Sequence, residues 1–440
     1  MKTIVRTALL GTAMMAATPA MAQDSDPRID ALLAEVEALR AEVAAMKAVQ
    51  EAQAETVATL EAQETPGLDA SWKGAPQLEE DGWSFKPRGR LMYDVGSVSS
   101  PDGITDAGLG FASELRRGRI GVSGDIPGGF GYKFEIDFAD NDVAITDAFL
   151  SKELGDAEIM IGQMNNFQSL EELTSSLNTS FIERAAFTDA FGFERRVGVR
   201  VQYKAGDFIA QGGAFTSSID DLNDDGNNAR GADARLVFAP KMGDALVHLG
   251  ASIHYRDLGD GVQSVRYRQR PAIHISDTRF INTGRFDATS ETSYGIEAAA
   301  ILGRFHVAGE AHRLTANMIG EPDPTFAGGY VEAGVFLTED KRGYKGGKFD
   351  RVKPNNPVGE GGWGSLQFNA RYDYLDLNDA GIIGGTQNGY QASILWKPVD
   401  YVLFGLNYGH MVYDDAAIVT VDGDDSYSVD VIGLRGQIDF

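Results

Sequence analysis

Residues 366–374 read Leu366-Gln367-Phe368-Asn369-Ala370-Arg371-Tyr372-Asp373-Tyr374, a strict alternation of apolar and polar side chains. In a β-strand successive side chains point to opposite faces, so this stretch has one apolar face and one charged face. The same period recurs on both sides. Phe85, Leu91, Tyr93 and Val95 oppose Lys86, Arg88, Arg90 and Asp94. Tyr132, Phe134, Ile136 and Phe138 alternate with Lys133, Glu135 and Asp137. Val197, Val199, Val201 and Tyr203 alternate with Arg196, Arg200, Gln202 and Lys204, and Ile432, Leu434, Ile438 and Phe440 with Arg435, Gln437 and Asp439. Short turns such as Pro127-Gly128-Gly129, Ala205-Gly206-Asp207 and Pro398-Val399-Asp400 separate the segments.

A soluble sandwich also alternates, but three features point to a barrel in lipid. The apolar faces are rich in aromatic residues toward the segment ends, the segments outnumber those of one sandwich, and the chain ends on an aromatic, Phe440. A closed sheet is the only β structure that can span a bilayer, because every backbone polar group must be paired internally. At roughly 20–24 residues per strand and connection, residues 83–440 provide for about 16 strands. The expected fold is all-β, a 16-stranded antiparallel transmembrane β-barrel preceded by an N-terminal α-helical coiled coil.

The rest of the 440-residue chain fits that expectation. Its mean hydropathy of −0.20 suggests a soluble protein, but a barrel that alternates polar and apolar residues averages out as hydrophilic. Lys2 and Arg6, an apolar stretch and Ala20-Met21-Ala22 read as a signal peptide over residues 1–22. From Ile29 to Leu60 apolar residues recur in alternating steps of three and four, through Leu32, Val36, Leu39, Val43 and Met46, with Gln50 and Gln53 in the seam. That heptad pattern marks residues 23–65 as a coiled-coil oligomerisation segment, although a lone amphipathic helix is the simpler alternative. β-Branched a positions lean toward a dimer, and the Gln layers are compatible with a trimer. Thr65-Pro66-Gly67 ends the helix, and residues 66–82 read as a linker.

The formal net charge is −25, from 39 Lys+Arg and 64 Asp+Glu. That balance disfavours a nucleic-acid partner, which needs clustered cations. Without cysteine, the chain has no disulfide, thiolate zinc site, Fe–S cluster or cysteine nucleophile. No G-x-S-x-G elbow or phosphate-binding loop is present, so no enzymatic activity and no cofactor are expected. Asp221-Leu222-Asn223-Asp224-Asp225-Gly226 begins like a calcium loop, but Ala232 stands where its bidentate glutamate belongs, so it reads as a solvated outer loop.

The barrel region resembles the phosphate-selective porin O/P family. The resemblance is carried by Leu115-Arg116-Arg117, Tyr132-Lys133-Phe134, Ile161-Gly162-Gln163, the run Ser169–Ser176 with Ile182-Glu183-Arg184, and Arg195-Arg196-Val197-Gly198-Val199. Further on it continues through His254–Leu258, Arg266–Pro271 and Lys348–Pro354. It implies a homotrimeric outer-membrane channel for small inorganic anions such as phosphate, with the coiled coil in the periplasm.

Arg266, Arg268 and Arg270 lie at i, i+2 and i+4, which on a strand places three guanidiniums on one face. Facing lipid near the midplane, each would cost about 2–4 kcal/mol, so they belong in the lumen or outside the membrane. The resemblance implies that they form an anion ladder, joined by Arg90, Arg116, Arg117, Lys133 and Arg184. It also implies a constriction loop over residues 165–190, with a short helix at 170–176, carrying Glu171, Glu172, Ser175 and Ser176, and with Asp147 nearby. Three positions depart from the family: Glu172 where it has a lysine, Leu177 where it has a basic residue and His274 where it has an arginine. A carboxylate at the narrowest point opposes a dianion, so a weakly selective or cation-tolerant general porin with a cell-wall tether role stays open beside the anion channel. An outer-membrane hydrolase is the remote third reading.

Overall fold

The computed structural model describes residues 27–62, 69–222, 228–260 and 263–440. The expected signal peptide and most of the Asp221–Gly226 stretch lie outside them. Two compact units divide the chain, residues 1–66 and 67–440.

In the first unit, α1 runs over Pro27–Ala62. Its Ala, Glu, Arg and Gln content favours helix. The apolar stripe of Leu32, Val36, Leu39, Val43 and Met46 is exposed on this single chain.

The second unit is a closed antiparallel barrel of sixteen strands. In chain order these are β1 (Trp83–Val98), β2 (Gly110–Ile126), β3 (Phe130–Asp137), β4 (Ala144–Leu154), β5 (Ala157–Asn165), β6 (Arg195–Ala205), β7 (Phe208–Thr216) and β8 (Arg230–Phe238). Then follow β9 (Ala245–Asp257), β10 (Ser290–Leu302), β11 (Phe305–Asn317), β12 (Thr325–Phe336), β13 (Ser365–Asp379), β14 (Ile382–Val399), β15 (Val402–Asp414) and β16 (Tyr427–Asp439). Each strand pairs with the next in sequence, and β16 closes onto β1 with Asp439 opposite Arg90 and Val431 opposite Val98. No open edge remains in this wall, as a bilayer demands.

Burial is inverted relative to a soluble protein. On β13, Phe368 is 41% exposed while Arg371 is 3% exposed. The alternation that opened the sequence reading therefore puts Phe368, Ala370 and Tyr372 on the outer surface and Gln367, Asn369, Arg371 and Asp373 inside. A lipid solvent explains this, because the outer face needs no polar partner and the inner face meets water or other protein.

The expected linker over residues 66–82 is partly structured. Asp69–Trp72 pairs with Pro76–Glu80, which continues onto β1 through Leu78 and Phe85.

One barrel end carries mostly tight turns. Gly206 and Gly303 occupy two of them at φ +59°, a region open to glycine without penalty. The exception at this end is residues 337–364, whose Gly343–Lys345 and Lys348–Asp350 form a hairpin. This hairpin folds into the lumen, where inward side chains of the wall hold it: Arg235 on β8 donates to the Gly347 carbonyl at 2.8 Å, and His248 on β9 meets the Tyr344 hydroxyl at 2.6 Å. The other end carries the longer loops, of which residues 166–194 and 258–289 also pack against inward-facing groups.

Candidate functional site

The constriction-loop reading of residues 165–190 can be rebuilt from local chemistry. Ser169 caps α2 (Leu170–Leu173) by accepting the Glu172 N–H at 3.1 Å. Ser169-Leu170-Glu171-Glu172 is a helix-start pattern. The helix spans four residues, shorter than the expected 170–176. Its N–H groups point at the wall: Glu310 on β11 accepts from Leu170 N at 2.9 Å and from Glu171 N at 2.6 Å. The second short helix, α3 (Ala186–Ala190), presents its Ala186 N–H to Asp373 on β13 at 2.9 Å. Free helix N–H groups need acceptors, and two wall carboxylates supply them. The segment is thereby fixed against β11–β13 and leaves space along β1–β6.

That space is a cavity of about 670 Å³. It collects Arg90, Arg116, Arg117, Lys133 and Arg184, five of the basic residues singled out in the sequence, along with Glu172, Ser175, Ser176 and Asp147. Simple alternation would place Arg116 and Arg117 on opposite faces. The β1–β2 register shifts between Met92 and Tyr93, so that Met92 pairs with Arg117 and Tyr93 with Leu115, leaving Arg116 extra. This bulge turns both arginines inward.

Most of these cations are held by carboxylates. Arg116 makes a two-pronged pair with Glu183, at 2.7 and 3.0 Å. Arg90 reaches Glu135 at 3.3 Å and Ser176 at 3.1 Å. Arg119 bridges Glu135 at 3.1 Å and Asp137 at 2.7 Å. Lys133 pairs with Asp147, which also takes Arg195 at 2.8 Å. Arg184 lies 3.4 Å from Glu172. Arg117 and Lys348 stand apart, with no ion pair among the described residues. Lys348 sits on the hairpin that enters from the turn end.

Several expectations need correction. Glu171 does not line this cavity; it faces the wall, paired with Arg371 at 2.7 Å, which also holds Glu332. Asp147, expected near the loop, stands on strand β4 and lines the same cavity as Glu172, Ser175 and Ser176. Arg266, Arg268 and Arg270 are not on a barrel strand. They lie in the 258–289 segment, where short pairings involve residues 263–265 and 268–269. Their alternation survives there, with Tyr267 and Gln269 buried between them.

The triplet lines a second cavity of about 480 Å³ with Arg256, Arg279 and Arg285. Arg270 alone of the three also lines the larger cavity, so it marks where vestibule and chamber meet. Its guanidinium donates to Asp277 at 2.8 Å. That bond holds the Asp277 carboxyl below the usual carboxylate range. Burial, with Arg270 close by, lowers the Arg279 guanidinium to about 10. His274 meets the Glu114 carboxylate at 2.8 Å.

Nine basic side chains line the chamber against six acidic ones, and six line the vestibule against three. Sequence reasoning missed Arg119, although Arg117 and Arg119 at i, i+2 share a face. It missed Arg195, although that residue belongs to a motif it used. Lys348 also belongs to a motif it used, but its place in the lumen depends on a turn-side segment folding inward, which no local pattern reveals. No group of three His, Cys, Asp or Glu residues that could hold a metal ion occurs among the described residues.

Comparison with known proteins gives three findings. The profile of the family described as phosphate-selective porin O and P matches residues 85–440. An uncharacterized protein of Caulobacter vibrioides is 42% identical, with 98% of this chain and 95% of that protein covered. Among solved structures, OmpT of Vibrio cholerae superposes with a TM-score of 0.54 at 12% identity, over 83% of this chain and 99% of that one. An anion-selective porin from Comamonas acidovorans gives 0.51 at 12%, over 81% and 100%. Likeness at that identity concerns the fold alone.

Proposed function

The chain belongs to the phosphate-selective porin O and P family and is an outer-membrane porin, and from that premise we propose that it passes small inorganic anions, phosphate among them, by passive diffusion through its arginine-lined lumen. The observation that carries this reading is the excess of cations in two adjoining cavities of a chain whose net charge is −25. Fixed guanidiniums attract anions, and their planar fork suits phosphate oxygens. A path of similar sites allows an ion to enter each one and leave it. Family and barrel indicate a channel rather than an enzyme.

The affinity for phosphate is modest in this reading. Arg90, Arg116, Arg119, Lys133, Arg184 and Arg195 each have a carboxylate partner, so Arg117 and Lys348 are the chamber cations best placed to meet a solute. Glu172 and its neighbours favour the second reading, a weakly selective or cation-tolerant porin. Planar-bilayer recording in a KCl gradient separates the two. A reversal potential toward chloride, with phosphate reducing the chloride current, supports the anion path; reversal toward potassium defeats it.

The assembly is proposed to be a homotrimer in the outer-membrane lipid. Its residues 23–65 would pair as a coiled coil in the periplasm, and a tether role can coexist with the pore. The exposed apolar stripe of α1 supports self-association, since isolated amphipathic helices gain most of their stability from packing that face. Deleting residues 23–65 and measuring oligomer mass tests whether the coil is needed.

A further inference from the structure

Arg270 lines both the vestibule and the chamber. Its backbone is fixed by a bond from its N–H to Asp189 at 2.9 Å, and its Nε donates to the Ser276 carbonyl at 3.2 Å. The remaining recognition face of the guanidinium meets Asp277 at 2.8 Å. Around Asp277 the chain is clamped. Thr278 hydrogen-bonds Asp106 at 2.8 Å, Arg279 donates to the Asp277 carbonyl at 3.0 Å, and Phe280 accepts from Ala417 N at 2.8 Å. Ser276, Thr278, Arg279 and Phe280 are buried, whereas the Asp277 side chain is 92% exposed. A rigid backbone thus holds a water-bathed carboxylate against a lumen guanidinium.

We propose that Asp277 is a tethered competitor for the permeating anion: its carboxylate occupies the Arg270 rung until a solute anion displaces it, and returns when the solute leaves. The proposal rests on the anion-path reading above. Exposed ion pairs are weak, so the carboxylate yields readily. Tethering gives it an effective concentration on the order of millimolar or more, so a dilute anion must compete for the rung. The competition keeps the junction from trapping a tightly bound ion, as conduction requires. Asp277 would thereby set the concentration range in which the pore saturates.

The test is single-channel conductance as a function of chloride concentration, and block of that current by inorganic phosphate, for the full-length protein and for Asp277→Asn. Asn keeps the size and removes the charge, and Asp277→Ala serves as a second variant; the exposed side chain makes folding insensitive to either. The expected result is a several-fold lower half-saturating chloride concentration, stronger phosphate block and a lower maximal current. In an Arg270→Gln background the same substitution should keep only a small residual effect through Arg279, whose guanidinium lies 3.9 Å from the same carboxylate. A several-fold effect that persists without Arg270 overturns the proposal, because the charge would then act through the general field. An anion-selective parent whose half-saturation Asp277→Asn leaves unchanged overturns this proposal alone; a cation-selective parent overturns the anion path along with it.

Discussion

The Arg184 guanidinium lies 3.4 Å from the Glu172 carboxylate and also donates to the carbonyls of Glu171, Glu172 and Thr174, at 3.0, 3.2 and 2.8 Å. One side chain therefore screens the acid in the chamber and caps the carboxyl end of α2, where helix carbonyls lack internal partners. The two roles can be separated. Glu172→Gln removes the charge and leaves the caps. It should raise the anion-to-cation permeability ratio severalfold in bilayer recordings, and Glu172→Lys should strengthen phosphate block further. No change in selectivity would mean that Glu172 does not face the conducting path.

Arg184→Met should loosen the loop. Hydrogen bonds to a charged group contribute about 1.5–3 kcal/mol each, and Arg184 makes three of them to these carbonyls. Noisier single-channel currents and faster proteolysis within residues 166–194 are the expected readouts. A quiet, protease-resistant channel would assign the caps a minor part.

The wall carboxylate Glu310 accepts from Leu170 N, Glu171 N and the Tyr330 hydroxyl. Glu310→Ala leaves buried N–H groups unpaired, at a cost of about 1–3 kcal/mol each. Larger and flickering conductance should follow as the 166–194 segment leaves the wall, with the barrel still intact by circular dichroism.

Lys348→Gln and Arg116→Gln each remove one positive charge from the same chamber, but their consequences should differ. Lys348 has no ion pair among the described residues, so its loss lowers anion conductance and leaves thermal stability unchanged. Loss of Arg116 deprives Glu183 of its two-pronged partner; the pair is only partly buried, so the cost stays below the about 3–5 kcal/mol of breaking a fully buried one. Arg435, 3.4 Å from Glu183, offsets part of that. Equal melting temperatures for the two variants would contradict the pairing scheme.

Selectivity should depend on salt. The screening length is about 10 Å at 0.1 M and about 3 Å at 1 M. Anion preference measured at equal gradients should therefore be strongest in dilute salt. A ratio independent of ionic strength would point to size rather than charge as the filter.

Much of the barrel was legible because strand facing is a local property with a period of two. Phe368 and Arg371 declare their faces through their immediate neighbours, as do Val331 on the outer surface of β12 and Glu332, which is paired inside with Arg371. The arginine triplet was legible as a constellation and misplaced as a strand, since alternation also occurs in an inserted segment that pairs only briefly. Arg116 and Arg117 were nominated together, yet only the register shift opposite Met92 explains how both face inward.

The sequence by itself determined the closed β architecture, the outward apolar face, the helix of residues 27–62 and the set of cations worth watching, because each follows from residues a few positions apart. Tertiary structure decided which of those cations keep a free charge. Ion pairing joins distant parts of the chain, as in Arg435 and Asp94, 341 residues apart, and a charge spent on such a partner is largely lost to a solute. The same long-range folding sent Glu171 to the wall and Glu172 to the chamber, and brought Lys348 in from the opposite end of the barrel.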